Sequence, residues 1–135
     1  MKQNKYTTGV LIANAVFLGV GAVILLGFGQ RMFGNLLGLP DTAGFLWLLL
    51  GVCALALAFL SGAAARERNA TFSLIAVITL MIFQVGSALV SFIIGLTTNP
   101  TVFANFAPHL ILGILLGIAW WRLAAAHQTA SAGST

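Results

Sequence analysis

Apolar residues fall into four long runs, over 8–28, 43–65, 71–96 and 102–123, separated by short polar stretches. Runs of about 20 apolar residues with few charges have the length a helix needs to cross a bilayer. The pattern predicts an all-α polytopic membrane protein, a four-transmembrane-helix antiparallel bundle. The third run, 71–96, exceeds the ~20 residues that crossing needs, so tilt or a projecting end is expected there.

The connections carry their own signals. In the stretch 30–42, Met32, Phe33, Leu36 and Leu37 would share one face of a short helix, which suggests a segment lying on the membrane surface. Gly38-Leu39-Pro40-Asp41-Thr42 then reads as a turn, with Asp41 or Thr42 capping the next helix. The short charged link Arg66-Glu67-Arg68-Asn69 forces the third helix to run antiparallel beside the second. Thr97-Thr98-Asn99-Pro100-Thr101 is an uncharged polar turn. Pro108 is comfortable only in a first turn, so the regular fourth helix is expected to begin within 105–107, with 102–106 at the interface. The tail, 124–135, ends in Thr-Ala-Ser-Ala-Gly-Ser-Thr and is expected to be disordered. No internal repeat stands out.

Lys2 and Lys5 precede the first run, and Gly27-Phe28-Gly29 resembles a small-x-small cleavage site. Its apolar run of about 20 residues is longer than the 7–15 of a signal-peptide core, so a retained helix is expected.

Composition agrees with this reading. The 135 residues are 60% hydrophobic and 6% charged, with a mean hydropathy of +1.06, whereas a soluble domain is about a quarter charged. Asp41 and Glu67 are the only acids beside six Lys/Arg. The net charge of +4 comes from cations scattered at segment ends, with no stripe or cluster of the kind that binds nucleic acid, so no nucleic-acid partner is expected. The lipid bilayer is the expected partner, together with a further membrane protein or a second copy of the chain.

Charge placement sets orientation. Four spans put Lys2, Lys5, Arg66, Arg68 and Arg122 on one side and leave Arg31 alone on the other. Cytoplasmic loops are enriched in Lys and Arg, so both termini are expected in the cytoplasm. Trp120 and Trp121, next to Arg122, fit the inner aromatic belt, and Trp47 fits the outer one. Asn69-Ala70-Thr71 is formally a glycosylation sequon, but this topology places it in the cytoplasm.

Lipid tails are as apolar as Leu, so close packing of small residues must hold the helices together. Each run has such a track: Ala15 and Gly19; Ala54, Ala58 and Gly62; Ser87, Ser91 and Gly95; Gly113 and Gly117. Cys53, the single cysteine, reads as a small packing residue; it excludes an intramolecular disulfide and a Cys-based zinc site.

No acidic or basic side chain lies near the middle of any run, although proton or cation coupling across membranes usually needs one. The small multidrug transporters are also four-span chains and carry a Glu within the first helix. The polar residue in the corresponding helix here is Asn14, which cannot exchange a proton, and this argues against an antiporter of that type.

The embedded neutral residues are Asn14, Gln84 and His109. Gln84 lies about 20 Å from the inner end of its helix, near the midplane, and shares a face with Ser87 and Ser91. This face could bond a neighbouring helix or form one wall of a polar pocket. His109 follows Pro108 near the outer surface, as an interfacial histidine or as a haem or quinone ligand. The only other histidine is His127, on the opposite side, which disfavours a bis-His haem. No catalytic residue, metal site or cofactor is expected.

Gly44-Phe45-Leu46-Trp47-Leu48-Leu49-Leu50-Gly51-Val52, then Ala63-Ala64-Ala65-Arg66, then the glycine-bearing fourth helix ending in Trp120-Trp121-Arg122, resemble the DoxX-like group of small bacterial four-helix membrane proteins. The resemblance covers most of the chain in architecture, carries over no functional residue, and permits an association with quinone-linked redox complexes. The leading expectation is a non-enzymatic accessory, assembly or scaffold partner. The alternatives are a carrier or channel for a neutral or apolar solute, and a quinone- or haem-associated redox subunit.

Overall fold

The computed structural model describes residues 4–35, 37, 38, 44–67 and 69–132. It contains four α-helices: α1 (Lys5–Gly29), α2 (Gly44–Arg66), α3 (Ala70–Thr97) and α4 (Phe103–Ala132). Each is long and apolar enough to cross a membrane. α1 packs chiefly on α2, and α3 on α4, as two hairpins. Sparser contacts between α2 and α3 and between α1 and α4 close the ring, so α1 and α3 stand diagonally across the bundle.

Polar side chains set the helix starts. The Asn4 side chain accepts from the Tyr6 N–H at 3.2 Å, so α1 begins before the apolar run does. Asn69 accepts from the N–H groups of Thr71 and Phe72, at 3.0 and 3.2 Å, and starts α3 directly after the charged link. Asn99 does the same for a short 3-10 turn, Pro100–Val102, that leads into α4.

Three expectations about the connections change. The segment after α1 is not a separate surface helix. It continues α1 as a π-helical turn, Gln30–Gly34, with the Asn35 N–H bonded to the Gln30 carbonyl at 3.2 Å. Gln30 accepts from Trp47 Nε1 at 2.9 Å, and Phe33 lies 5.7 Å from the Trp47 ring, so the turn is anchored to α2. Leu36, Asp41 and Thr42 lie outside the described residues, as does most of the expected turn; Gly38, at φ 64°, adopts the left-handed conformation that glycine tolerates. α4 starts at Phe103, ahead of the expected 105–107, because the 3-10 turn feeds directly into it. Pro108 is therefore the sixth residue of the helix, where its missing N–H deprives the Ala104 carbonyl of its helical donor. Finally, α4 runs to Ala132 and not into a disordered tail from Ala124; three consecutive alanines, 124–126, are strong helix formers that extend it.

The buried positions follow a three-four spacing. In α1 they include Thr7, Leu11, Asn14, Leu18 and Ala22, with Val10 and Gly29 also buried; in α2 they include Trp47, Gly51, Ala54 and Ser61, with Ala64 beyond them. Such spacing is that of an inward-facing helix seam. The apolar core, centred on Leu11, Leu18, Val77, Leu80, Leu116 and Ala119, occupies the half nearer the N-terminus. There the Tyr6 hydroxyl donates to the Leu115 carbonyl at 3.4 Å, and the Arg122 guanidinium sits 4.4 Å from the centre of the Tyr6 ring. Most large apolar side chains point outward, as a lipid-facing surface requires: Phe59 is 80% exposed.

The small-residue tracks divide. Gly113 is buried, and a Cβ there would lie 3.0 Å from Val85 Cγ2; at Gly117 it would meet Met81 Sδ at 3.6 Å. A Cβ on Gly95 would press on the Phe103 ring at 2.9 Å. Ala54 is buried, and Ala58 packs against the core. Ala15 is half-buried. A Cβ added at Gly19 or Gly62 would find nothing within 4 Å, so those two do not carry close packing. They lie off the seam, and the tighter approaches are elsewhere. Gly29 lies against Trp47, where a Cβ would sit 2.5 Å from the Trp47 Cβ, and Gly51 lies against Leu26, at 2.7 Å from its Cγ.

Candidate functional site: a polar chain through four helices

Each helix contributes one side chain to a continuous hydrogen-bonded chain in the bundle interior. Ser61 of α2 donates to the Leu11 carbonyl of α1 at 2.8 Å. Asn14 of α1 bonds Ser61 Oγ at 3.2 Å. Gln84 of α3 bonds Asn14 at 2.6 Å, across the diagonal. The other end of the Gln84 amide bonds His109 Nδ1 of α4. Asn14, Ser61 and Gln84 have no exposed surface, and His109 is half-buried. A polar group sequestered from water must find a partner, and this chain supplies one for each member.

One carbonyl fixes the direction of the whole chain. The Leu11 oxygen can only accept, so the Ser61 hydroxyl proton lies between them. Ser61 Oγ must then accept from Asn14 Nδ2, which turns Asn14 Oδ1 toward Gln84. Gln84 must donate from Nε2, which leaves its Oε1 facing the imidazole. His109 therefore carries a proton on Nδ1. The reverse order would leave Ser61 Oγ and the Leu11 oxygen 2.8 Å apart with no hydrogen between them.

With Nδ1 protonated, the neutral ring keeps a bare lone pair on Nε2. Thr7 Oγ1 is the one buried side-chain N or O without a partner among the described residues. Nε2 bonds no described group. Phe17 meets the imidazole edge-on, with centroids 5.1 Å apart and planes at 88°; Phe83 does so at 6.4 Å and 72°.

Of the residues singled out in the sequence, Gln84 and His109 join directly, and Asn14 joins them. Ser87 is half-buried and Ser91 buried, but neither bonds Gln84. Ser61 escapes a reading based on small-residue spacing, because it sits one position before Gly62. Its signal is the seam of α2, where it follows Trp47, Gly51 and Ala54 at three-four spacing.

Elsewhere, an open groove of about 270 Å³ lies at the far ends of α1 and α2, lined by residues that include Leu26, Arg31, Gly44 and Trp47. It does not touch the polar chain. Among the described residues no group of three His, Cys, Asp or Glu could hold a metal ion. Comparison with protein-family models, with curated proteins and with solved structures finds no match.

Proposed function

We propose that this protein is a non-enzymatic accessory or assembly partner in the cytoplasmic membrane of a bacterium, with both termini in the cytoplasm. One observation carries the reading: the embedded polar side chains bond each other. Both ends of the Gln84 amide are engaged by neighbouring helices, and no surface of Gln84 is exposed. A solute pathway would need such groups available to the solute or to water. A bundle that must keep one shape beside a partner needs them turned inward, fixing helix register. α2 exposes Phe45, Leu49, Val52 and Phe59 along its length, a surface for lipid or for a partner's helix. The orientation rests on the cations at the chain's inner ends, Lys5, Arg66 and Arg122 among them.

The test is thiol accessibility in intact membranes, in a Cys53→Ala background. Ser87→Cys and Ser91→Cys probe the Gln84 face without removing a member of the chain. Thr98→Cys, in the exposed α3–α4 turn, is the positive control, and Ile82→Cys, which is 65% exposed on the outer face of α3, is the lipid control. A water-soluble maleimide should label position 98 and leave 87 and 91 as unreactive as 82. Labelling at 87 and 91 as fast as at 98 would replace the accessory reading with a solute pathway.

A further inference from the structure

We propose that His109 Nε2 is a binding site for a membrane-dissolved phenol, which donates its O–H to the ring nitrogen. The inference goes beyond the accessory reading and does not depend on it. Three observations define the ligand. First, the direction of the polar chain makes Nε2 an acceptor in the neutral ring, so the ligand must bring a donor. Second, His109 lies six residues into α4, about 9 Å from its start and about 18 Å from the Trp121 belt, so it sits below the headgroups and the ligand must dissolve in the bilayer. Third, the half-buried rings of Phe17 and Phe83 flank the imidazole and offer apolar aromatic surface to a ring-shaped body.

The polar chain also prepares the site. Gln84 Oε1 holds the imidazole by Nδ1, and Gln84 is itself held by Asn14 and, through it, by Ser61. The ring's orientation is set before any ligand arrives, which lowers the ordering cost of binding. A hydrogen bond received at Nε2 requires no rearrangement, because every other link keeps its donor and its acceptor.

The experiment compares 4-octylphenol with 4-octylanisole, which differ only in the donor hydrogen and the methyl that replaces it. Radiolabelled probe is partitioned into lipid nanodiscs carrying the full chain, and empty discs give the background. The phenol should bind about 2- to 10-fold more tightly than the ether, the factor one neutral hydrogen bond supplies. In His109→Phe an aromatic ring is kept but no acceptor remains, at the cost of leaving Gln84 Oε1 unpaired; there the two probes should bind alike. Thermal stability of the variant confirms that it is folded. Equal binding of phenol and ether to the native chain would overturn the proposal. So would a preference that survives in His109→Phe, or an equal preference for 1-decanol over its methyl ether, which would remove the aromatic requirement.

Discussion

Gln84 Nε2 donates to Asn14 Oδ1 at 2.6 Å, and this bond joins α3 to α1 across the diagonal of the bundle. It also links the two hairpins, α1–α2 and α3–α4, through their centre. Gln84→Leu or Asn14→Leu alone strands a buried amide partner and should cost about 1–3 kcal/mol. The pair itself is worth less. A double-mutant cycle, read by reversible unfolding in mixed micelles, should return a coupling of about 0.6 kcal/mol and no more than ~1.7. Strict additivity would mean that the two amides do not bond in the membrane.

The glycines should separate by their neighbours. Gly29→Ala drives a methyl into the Trp47 Cβ and Gly51→Ala one into Leu26. Each should destabilise the bundle by about 1–3 kcal/mol. Gly19→Ala and Gly62→Ala meet open space and should be neutral, or stabilising by up to about 1 kcal/mol through helix propensity. Thermal denaturation in a single detergent ranks the four. A loss at Gly62 equal to that at Gly29 would show that the α2 face carrying Gly62 is covered by another chain.

Thr7 Oγ1 is buried without a hydrogen-bond partner. Thr7→Val keeps the shape and removes the unpaired hydroxyl, so it should raise stability by up to ~1 kcal/mol. A loss of more than about 1 kcal/mol would reveal a partner for the hydroxyl in the membrane.

Reporter fusions test the orientation. Fusions after Glu67 and Ala132 should report cytoplasm, and fusions at Asn35 and Asn99 the opposite side. An external fusion at Ala132 would exclude four spans with a cytoplasmic N-terminus.

The architecture was legible in the sequence because it is written in run length: four apolar stretches of spanning length leave few alternatives, and helix ends shifted chiefly where Asn4, Asn69 and Asn99 supply caps, where the π-helical turn prolongs α1 and where the alanines at 124–126 prolong α4. The candidate site was half legible. Asn14, Gln84 and His109 are conspicuous because polar side chains are costly in a span. Their mutual contact was not, since it depends on which faces meet. The seam of α1 is visible as Thr7, Leu11, Asn14 and Leu18, and the same spacing finds Ser61 in α2. A search for small residues four apart instead selects Gly19 and Gly62, which lie off the seam. The π-helical turn at Gln30–Gly34 had no local signal, because its anchor is Trp47, on another helix.

The central claim is that one polar chain, oriented by the Leu11 carbonyl, runs through all four helices to His109. Nitrogen-15 NMR of the histidine side chain tests it most directly, in a His127→Asn variant so that a single imidazole reports. The account predicts a neutral ring protonated at Nδ1, with that proton in a hydrogen bond that Gln84→Leu abolishes, and an unprotonated Nε2. A neutral ring protonated at Nε2, with Nδ1 bare, would contradict it, because every link from Ser61 to His109 would then have to run the other way.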